Sequence, residues 1–241
     1  MRPGPYKSYY GGKNGNGVYH TIINHIRPHV RYIEPFIGNG TVFRAKKLAQ
    51  YSLINDLNTD VYNAWLSADI DDTGCVVELT NQDAIRLIEQ YQPAPGRTVI
   101  YLDPPYPISS RREGKERYAC ELTDEQHIRL LTAVRNLPPN VDVLVSTYCN
   151  PIYQRMLADW HLVTFQAKTR QGVATEYLYM NYQPDGTLHD YRYLGEDFTD
   201  RQRIKRKIER EVARLGALPA AERNAIIGSV IDGCGYEFRH S

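Results

Sequence analysis

The residues with the most chemistry for their length are Asp103-Pro104-Pro105-Tyr106. They follow Val99-Ile100-Tyr101-Leu102, an apolar run that reads as a buried strand, and proline ends such a strand because it cannot donate to the hydrogen-bond ladder. A carboxylate acceptor, a stiff backbone and an aromatic face therefore meet at the carboxyl end of a strand. Open α/β sheets hold their ligands there. The chemistry this suits is methylation of an exocyclic amine on a flat heteroaromatic ring. Asp103 and the carbonyl of Pro104 each accept one amine hydrogen, and Tyr106 stacks on the ring. Read alone, the same four residues equally describe a strand terminator with a tyrosine filling the core.

The upstream sequence favours the first reading. Glu34-Pro35-Phe36-Ile37-Gly38-Asn39-Gly40 falls between a strand and a helix, where glycines let a ligand approach the backbone. Phe43 stands where the dinucleotide fingerprint has its third glycine, which disfavours NAD. Asp56 follows the next strand, in a position to accept from ribose hydroxyls. Asp83 follows the one after, in a position to accept from an adenine amine. Either acid could instead cap a helix, the commoner use of Asp at such a boundary. Gly12-Lys13 is not a phosphate loop, since no Ser or Thr follows the lysine and no strand precedes it.

These segments must be positioned by alternating strands and helices. The pattern predicts helices at 18–26, 41–50, 58–68, 82–91 and 152–157, and strands at 30–34, 52–54, 75–79, 99–102, 141–145, 162–167 and 176–182. Thr123-Asp124-Glu125-Gln126 is a capping box that should open a further helix. The fold class that follows is α/β: a doubly wound, Rossmann-like sheet, mainly parallel with an antiparallel edge hairpin. The domain should occupy residues 1–195. Beyond it, 196–241 reads as a basic helical hairpin, with a second capping box at Thr199-Asp200-Arg201-Gln202 and a break at Gly216 and Pro219.

The chain has 241 residues with 29 basic and 28 acidic side chains, so net charge says nothing about partners. Its arrangement says more. Arg111, Arg112, Lys115 and Arg117 form one cluster, and Arg203, Lys205, Arg206, Lys207 and Arg210 belong to another, a footprint suited to nucleic acid. The four cysteines and seven histidines show no metal-ligand spacing, which predicts no metal, and the histidines read as surface or capping residues. Scattered cysteines suit a reducing, cytoplasmic setting, and no apolar run has the length of a membrane span.

Taken in order, these motifs resemble the Dam-like DNA adenine-N6 methyltransferases. Tyr9-Tyr10-Gly11-Gly12-Lys13 is similar to that family's aromatic-x-G-G-K segment, and motif order agrees over about residues 6 to 182. The resemblance implies S-adenosylmethionine as cofactor, with Tyr9, Lys13, Glu34, Pro35, Phe36, Gly38, Asn39, Gly40, Asp56, Asp83 and Asp103 around it. It implies Asp103, Pro104, Pro105 and Tyr106 as the catalytic segment, acting on an adenine flipped from duplex DNA. It implies a cytoplasmic enzyme of a prokaryote or phage-infected cell, of the restriction-modification kind. One departure stands out: residues 57–82 leave almost no room for the family's target-recognition insertion. Either recognition has moved to the 111–117 cluster and the C-terminal helices, or it is weak, or the substrate differs; those helices would also suit a homodimer or protein contact. An RNA adenine-N6 methyltransferase and a non-catalytic nucleic-acid-binding module are the alternatives. Methylation of protein glutamine is disfavoured because such enzymes carry Asn in the place of Asp103.

Overall fold

The computed structural model describes residues 1–2, 4–6, 11–13, 17–68, 70, 74–110, 118–169 and 172–234. The chain divides into two compact units, Met1–Tyr191 and Arg192–Ser241.

The first unit runs α1 (Val18–Ile23), β1 (Arg31–Glu34), α2 (Thr41–Ala45), β2 (Tyr51–Asn55), α3 (Thr59–Leu66), β3 (Val76–Thr80), α4 (Ala84–Glu89), β4 (Thr98–Leu102), α5 (Asp124–Arg135), β5 (Val141–Thr147), α6 (Pro151–Met156), β6 (His161–Thr169) and β7 (Gly172–Met180). Its seven strands form one sheet in the order β3-β2-β1-β4-β5-β7-β6. All neighbours pair in parallel except at β7, which is antiparallel to both β5 and β6. This is the doubly wound, Rossmann-like class expected from the alternation of elements.

Every residue of β4 and β5 is buried, because helices cover both faces of the central sheet. On one face Ile33, Ile100, Leu102, Val143 and Val145 join Ile85, Ile88, Leu130, Leu131, Val134 and Tyr153 of α4, α5 and α6 in a single core. Successive strand residues point to opposite faces, so Tyr32 takes the other side, where its ring meets Phe43 of α2 at 6.5 Å. The same alternation puts Tyr101 and Asp103 on one parity, and Tyr32 and Glu34 on one parity. Strand order reverses between β1 and β4, and the crevice at that switch point opens beyond their carboxyl ends.

Helix starts are set by side-chain caps. Asn58, Asp83 and Asn150 accept from Asp60 N, Ile85 N and Ile152 N, and Thr123 with Gln126 makes the full capping box at α5. Each cap contributes about 1 kcal/mol. Two elements are shorter than their apolar period suggested. α1 stops at Ile23, and α2 stops at Ala45 because Lys46 turns to extended backbone (ψ 160°). Two histidines are not on the surface: His127 is fully buried, its Nδ1 2.9 Å from the Tyr153 hydroxyl, and His29 is buried beside His189.

The second unit holds α7 (Phe198–Gly216) and α8 (Ala220–Cys234). The cap of α7 is Asp197, which accepts from Asp200 N, in place of the box expected at Thr199. Thr199 is already inside the first turn. The break expected at Gly216 and Pro219 falls between the two helices.

Candidate active site at the switch point

A cavity of about 850 Å³ opens at the carboxyl ends of β1, β2, β3 and β4. Its walls are the segments 11–13, 36–42, 56–58 and 118–120, together with Glu34, Asp83, Asp103 and Pro105.

The glycine turn forms its floor. Gly38 and Gly40 have φ of +44° and +58°, a region L side chains rarely adopt. At Gly40 there is also no room: an added Cβ would lie 2.6 Å from Trp65 Cζ2. Trp65 is itself fixed, with Nε1 donating to the Gly38 carbonyl at 2.7 Å. Asp56 holds the turn from the other side, accepting from Gly38 N and Asn58 N, both at 2.9 Å. Each carboxylate oxygen has a further lone pair, so Asp56 can fix the turn and still accept from a ligand's hydroxyls. Burial raises its pKa, offset by those two amides. It is not the cap of α3, a role Asn58 fills. Asp83 does cap α4, as its sequence position allowed, and it also reaches the cavity wall.

At the other end of the cavity four side chains from three distant segments meet. Lys13 Nζ lies 2.9 Å from Asp103 Oδ1 and 3.6 Å from Glu176 Oε2, and it also donates to the Tyr106 hydroxyl. That hydroxyl in turn donates to Glu176 Oε2 at 2.7 Å. Burial alone would lower the Lys13 pKa, but the two carboxylates more than offset it and hold the ammonium well above its usual range. Asp103 is pushed up to about 6, first by burial and then by the like charge of Glu176, against the pull of Lys13. The phenol of Tyr106 is held protonated by burial and both acids, so it acts as a donor. Nearby, Glu34 accepts from the Tyr32 hydroxyl at 2.7 Å, and burial raises it to about 8. Burial thus favours the neutral form of this carboxyl in the cavity wall.

Of the expected cofactor residues, Lys13, Glu34, Phe36, Gly38, Asn39, Gly40, Asp56, Asp83 and Asp103 all face this one cavity. Pro35 does not line it; its carbonyl accepts from Asn55 Nδ2 at 2.9 Å. Tyr9, Arg111, Arg112, Lys115 and Arg117 lie outside the described residues. In the catalytic segment Pro105 lines the cavity, while Pro104 and Tyr106 are buried behind it. Tyr106 is 5% exposed, with Lys13 Nζ 4.7 Å from its ring centroid and Tyr148 edge-on at 4.6 Å. Stacking on a ligand would need that ring to emerge. Tyr118, half-buried, already lies in the wall, as do Phe36 and Tyr101. The basic residues Arg203, Lys205, Arg206, Lys207 and Arg210 are exposed on α7, in the second unit.

Sequence reasoning missed Glu176 and the segment around Tyr118. A signal existed for Glu176. It shares the alternate positions of β7 with Leu178 and Met180, and an acid on an otherwise apolar buried stripe calls for a partner.

Residues 9–91 match the family model of the D12 class N6 adenine-specific DNA methyltransferases. Among solved structures, a protein of Haemophilus influenzae described as a methylase is 23% identical, covers 68% of this chain and 84% of its own, and superposes with a TM-score of 0.39. TrmN from Thermus thermophilus is 17% identical over 67% of this chain and 46% of its own, with a TM-score of 0.46. A methyltransferase from Pyrococcus furiosus is 13% identical over 69% of this chain and 81% of its own, at 0.42. No curated protein sequence matches.

Proposed function

We propose that this protein is a methyltransferase that uses S-adenosylmethionine to methylate the N6 amine of adenine in DNA. The observation that supports it best is that Asp103, held by Lys13, opens onto the same cavity as the glycine turn, Asp56 and Asp83. A carboxylate for the amine and a set of acceptors for a nucleoside thus share one crevice at the switch point.

The cavity residues fit the cofactor. Asp56 retains acceptor capacity for ribose hydroxyls, Asp83 stands one strand further along, and positive φ at Gly38 and Gly40 brings bare backbone into the wall. Asn39 Nδ2 is a buried donor with no partner among the described residues, its orientation set by Oδ1 accepting from Tyr6 N at 3.3 Å. When bound, the cofactor supplies a methyl group activated on a sulfonium sulfur that keeps the bonding electron pair.

The chain's residues do the rest. An adenine amine is a poor nucleophile because its lone pair is delocalised into the ring. Asp103 accepts one of its hydrogens and the Pro104 carbonyl the other, which draws the nitrogen toward a tetrahedral shape and aims its lone pair. Orientation and preorganised charge supply the rate enhancement. Once the N–C bond has formed, the surplus proton on nitrogen leaves to Asp103, whose raised pKa makes it a better acceptor than an exposed aspartate.

In a duplex the base must be flipped into this pocket. Tyr118, which lines the cavity, is the ring proposed to cover it, joined by Tyr106 once that ring is freed. Between Asp56 and Asp83 the chain builds α3 and β3, which leaves little to read a sequence. Affinity then comes from phosphate contacts by the 111–117 cluster and α7, and the target site is short or degenerate. Incubation with radiolabelled cofactor and, in parallel, duplex DNA, single-stranded DNA and structured RNA tests the reading. N6-methyladenine in DNA is expected. Label confined to RNA would move the substrate to RNA, and absence of both label and cofactor binding would leave a nucleic-acid-binding module.

A further inference from the structure

We propose that Glu176 is a positioning residue for Asp103, acting through Lys13 and Tyr106; the inference rests on Asp103 being the acceptor of the target amine. Glu176 enters the site from β7, 73 positions beyond Asp103. It is 4% exposed and touches both neighbours of Asp103: the Tyr106 hydroxyl at 2.7 Å and the Lys13 ammonium at 3.6 Å.

An ammonium has three hydrogens and no acceptor. Paired with Asp103 alone, Lys13 would neutralise it, and its hydrogens would compete with those of the amine for the same lone pairs. Glu176 prevents this by taking a share of the ammonium. The buried cluster sets the carboxyls of Asp103 and Glu176 against the single ammonium of Lys13. During transfer the amine's lone pair becomes the new N–C bond and positive charge builds on that nitrogen until its proton leaves. Acceptor groups fixed in place beforehand stabilise that charge more than they stabilise the neutral amine. The hydrogen bond from Tyr106 fixes the geometry, because its hydroxyl is tied to Glu176 on one side and to Lys13 on the other.

The groups facing Asp103 are the Lys13 ammonium, the carboxyls of Glu176 and Glu34, and the phenols of Tyr32, Tyr101, Tyr106 and Tyr153. Glu176 is the nearest like charge among them.

Glu176→Gln keeps the volume and an oxygen acceptor for Tyr106 but removes the charge. Two measurements are made on the full chain. One is kcat and KM against pH; the other is the titration of the Asp103 carboxyl by carbon-13 NMR in the absence of any polynucleotide. The expected result is a fall in kcat of about 10- to 100-fold, the range for removing an outer partner of an active group, with KM for cofactor unchanged. The acid limb of the rate profile and the Asp103 titration should both move to lower pH, since a like charge has gone. Tyr106→Phe should move the titration the opposite way, because a donor to the carboxylates is removed; it also serves should the glutamine variant not fold. A glutamine variant with kcat within about twofold of wild type and an unmoved titration would overturn the proposal. A wild-type protein inactive on every polynucleotide would overturn the functional reading instead, and the NMR titrations would still decide whether Glu176 governs Asp103.

Discussion

Asp103→Asn separates what the site needs from what the fold needs. The carboxyl titrates at about 6 in the folded protein, against 3.8 for a free aspartate. Because the folded value is the higher one, the stability linked to this group is fully present below about pH 4 and lost as pH rises through about 6. A displacement of that size corresponds to about 3 kcal/mol by pH 7. Asparagine keeps the shape and cannot ionise, so this loss disappears. The loss of the Lys13 partner at 2.9 Å is already contained in that displacement, since the pull of Lys13 acts on the folded value. The expected balance is a variant about 2–3 kcal/mol more stable than wild type at pH 7.5 and nearly equal to it at pH 4. Asp56 also titrates with a raised pKa, but it is common to both proteins and cancels in the difference, whereas Glu34, which Asp103 helps to hold up, should titrate lower in the variant. Denaturant unfolding at the two pH values reads the stability, and methyl transfer at saturating substrate reads the function, which should fall by about 10²-fold or more. A variant that turned over at near the wild-type rate would refute the role of Asp103. One that was less stable than wild type at pH 7.5 would refute the view that the ionised carboxylate is held at a cost to the fold.

Gly40→Ala should destabilise the protein by about 2–4 kcal/mol, combining a left-handed backbone with a Cβ pressed on Trp65; an unfolding midpoint like that of wild type would show that the turn relaxes. Asp56→Ala should weaken cofactor binding by about 10- to 100-fold through loss of hydrogen bonds to the ligand and to the glycine turn, and unchanged calorimetric affinity would make it purely structural. Replacing Arg203, Lys205, Arg206, Lys207 and Arg210 by Gln should reduce DNA affinity and flatten its salt dependence by about 0.9 for each phosphate that is no longer neutralised. An unchanged slope would mean that the phosphates are held elsewhere.

The cofactor side of the site was legible because each of its parts is local. A glycine turn after β1 and acids after β2 and β3 follow from strand endings and turn chemistry, which nearby residues dictate, and parallel strands then bring those endings to one edge. The helix starts at Asn58, Asp83 and Thr123 were equally local, since a cap is decided within three or four residues. At Thr199 the same signal misled, because Asp197 stood two residues earlier and captured the backbone amide first.

The acid cluster was a different matter. Asp103 was visible at its strand end, but its partners come from 90 residues before it and 73 after it. Glu176 reaches it because β7 runs antiparallel to β5 and therefore begins at the edge where β4 ends. Tyr106 shows the consequence. From the sequence it was a free aromatic face for a base; in the folded chain its hydroxyl is taken by Glu176 and Lys13 and its ring lies behind the cavity wall. Residue type and local geometry were enough to say which groups are able to do chemistry. Their charge states and partners came only with the folded chain, because burial and pairing between distant segments set those energies.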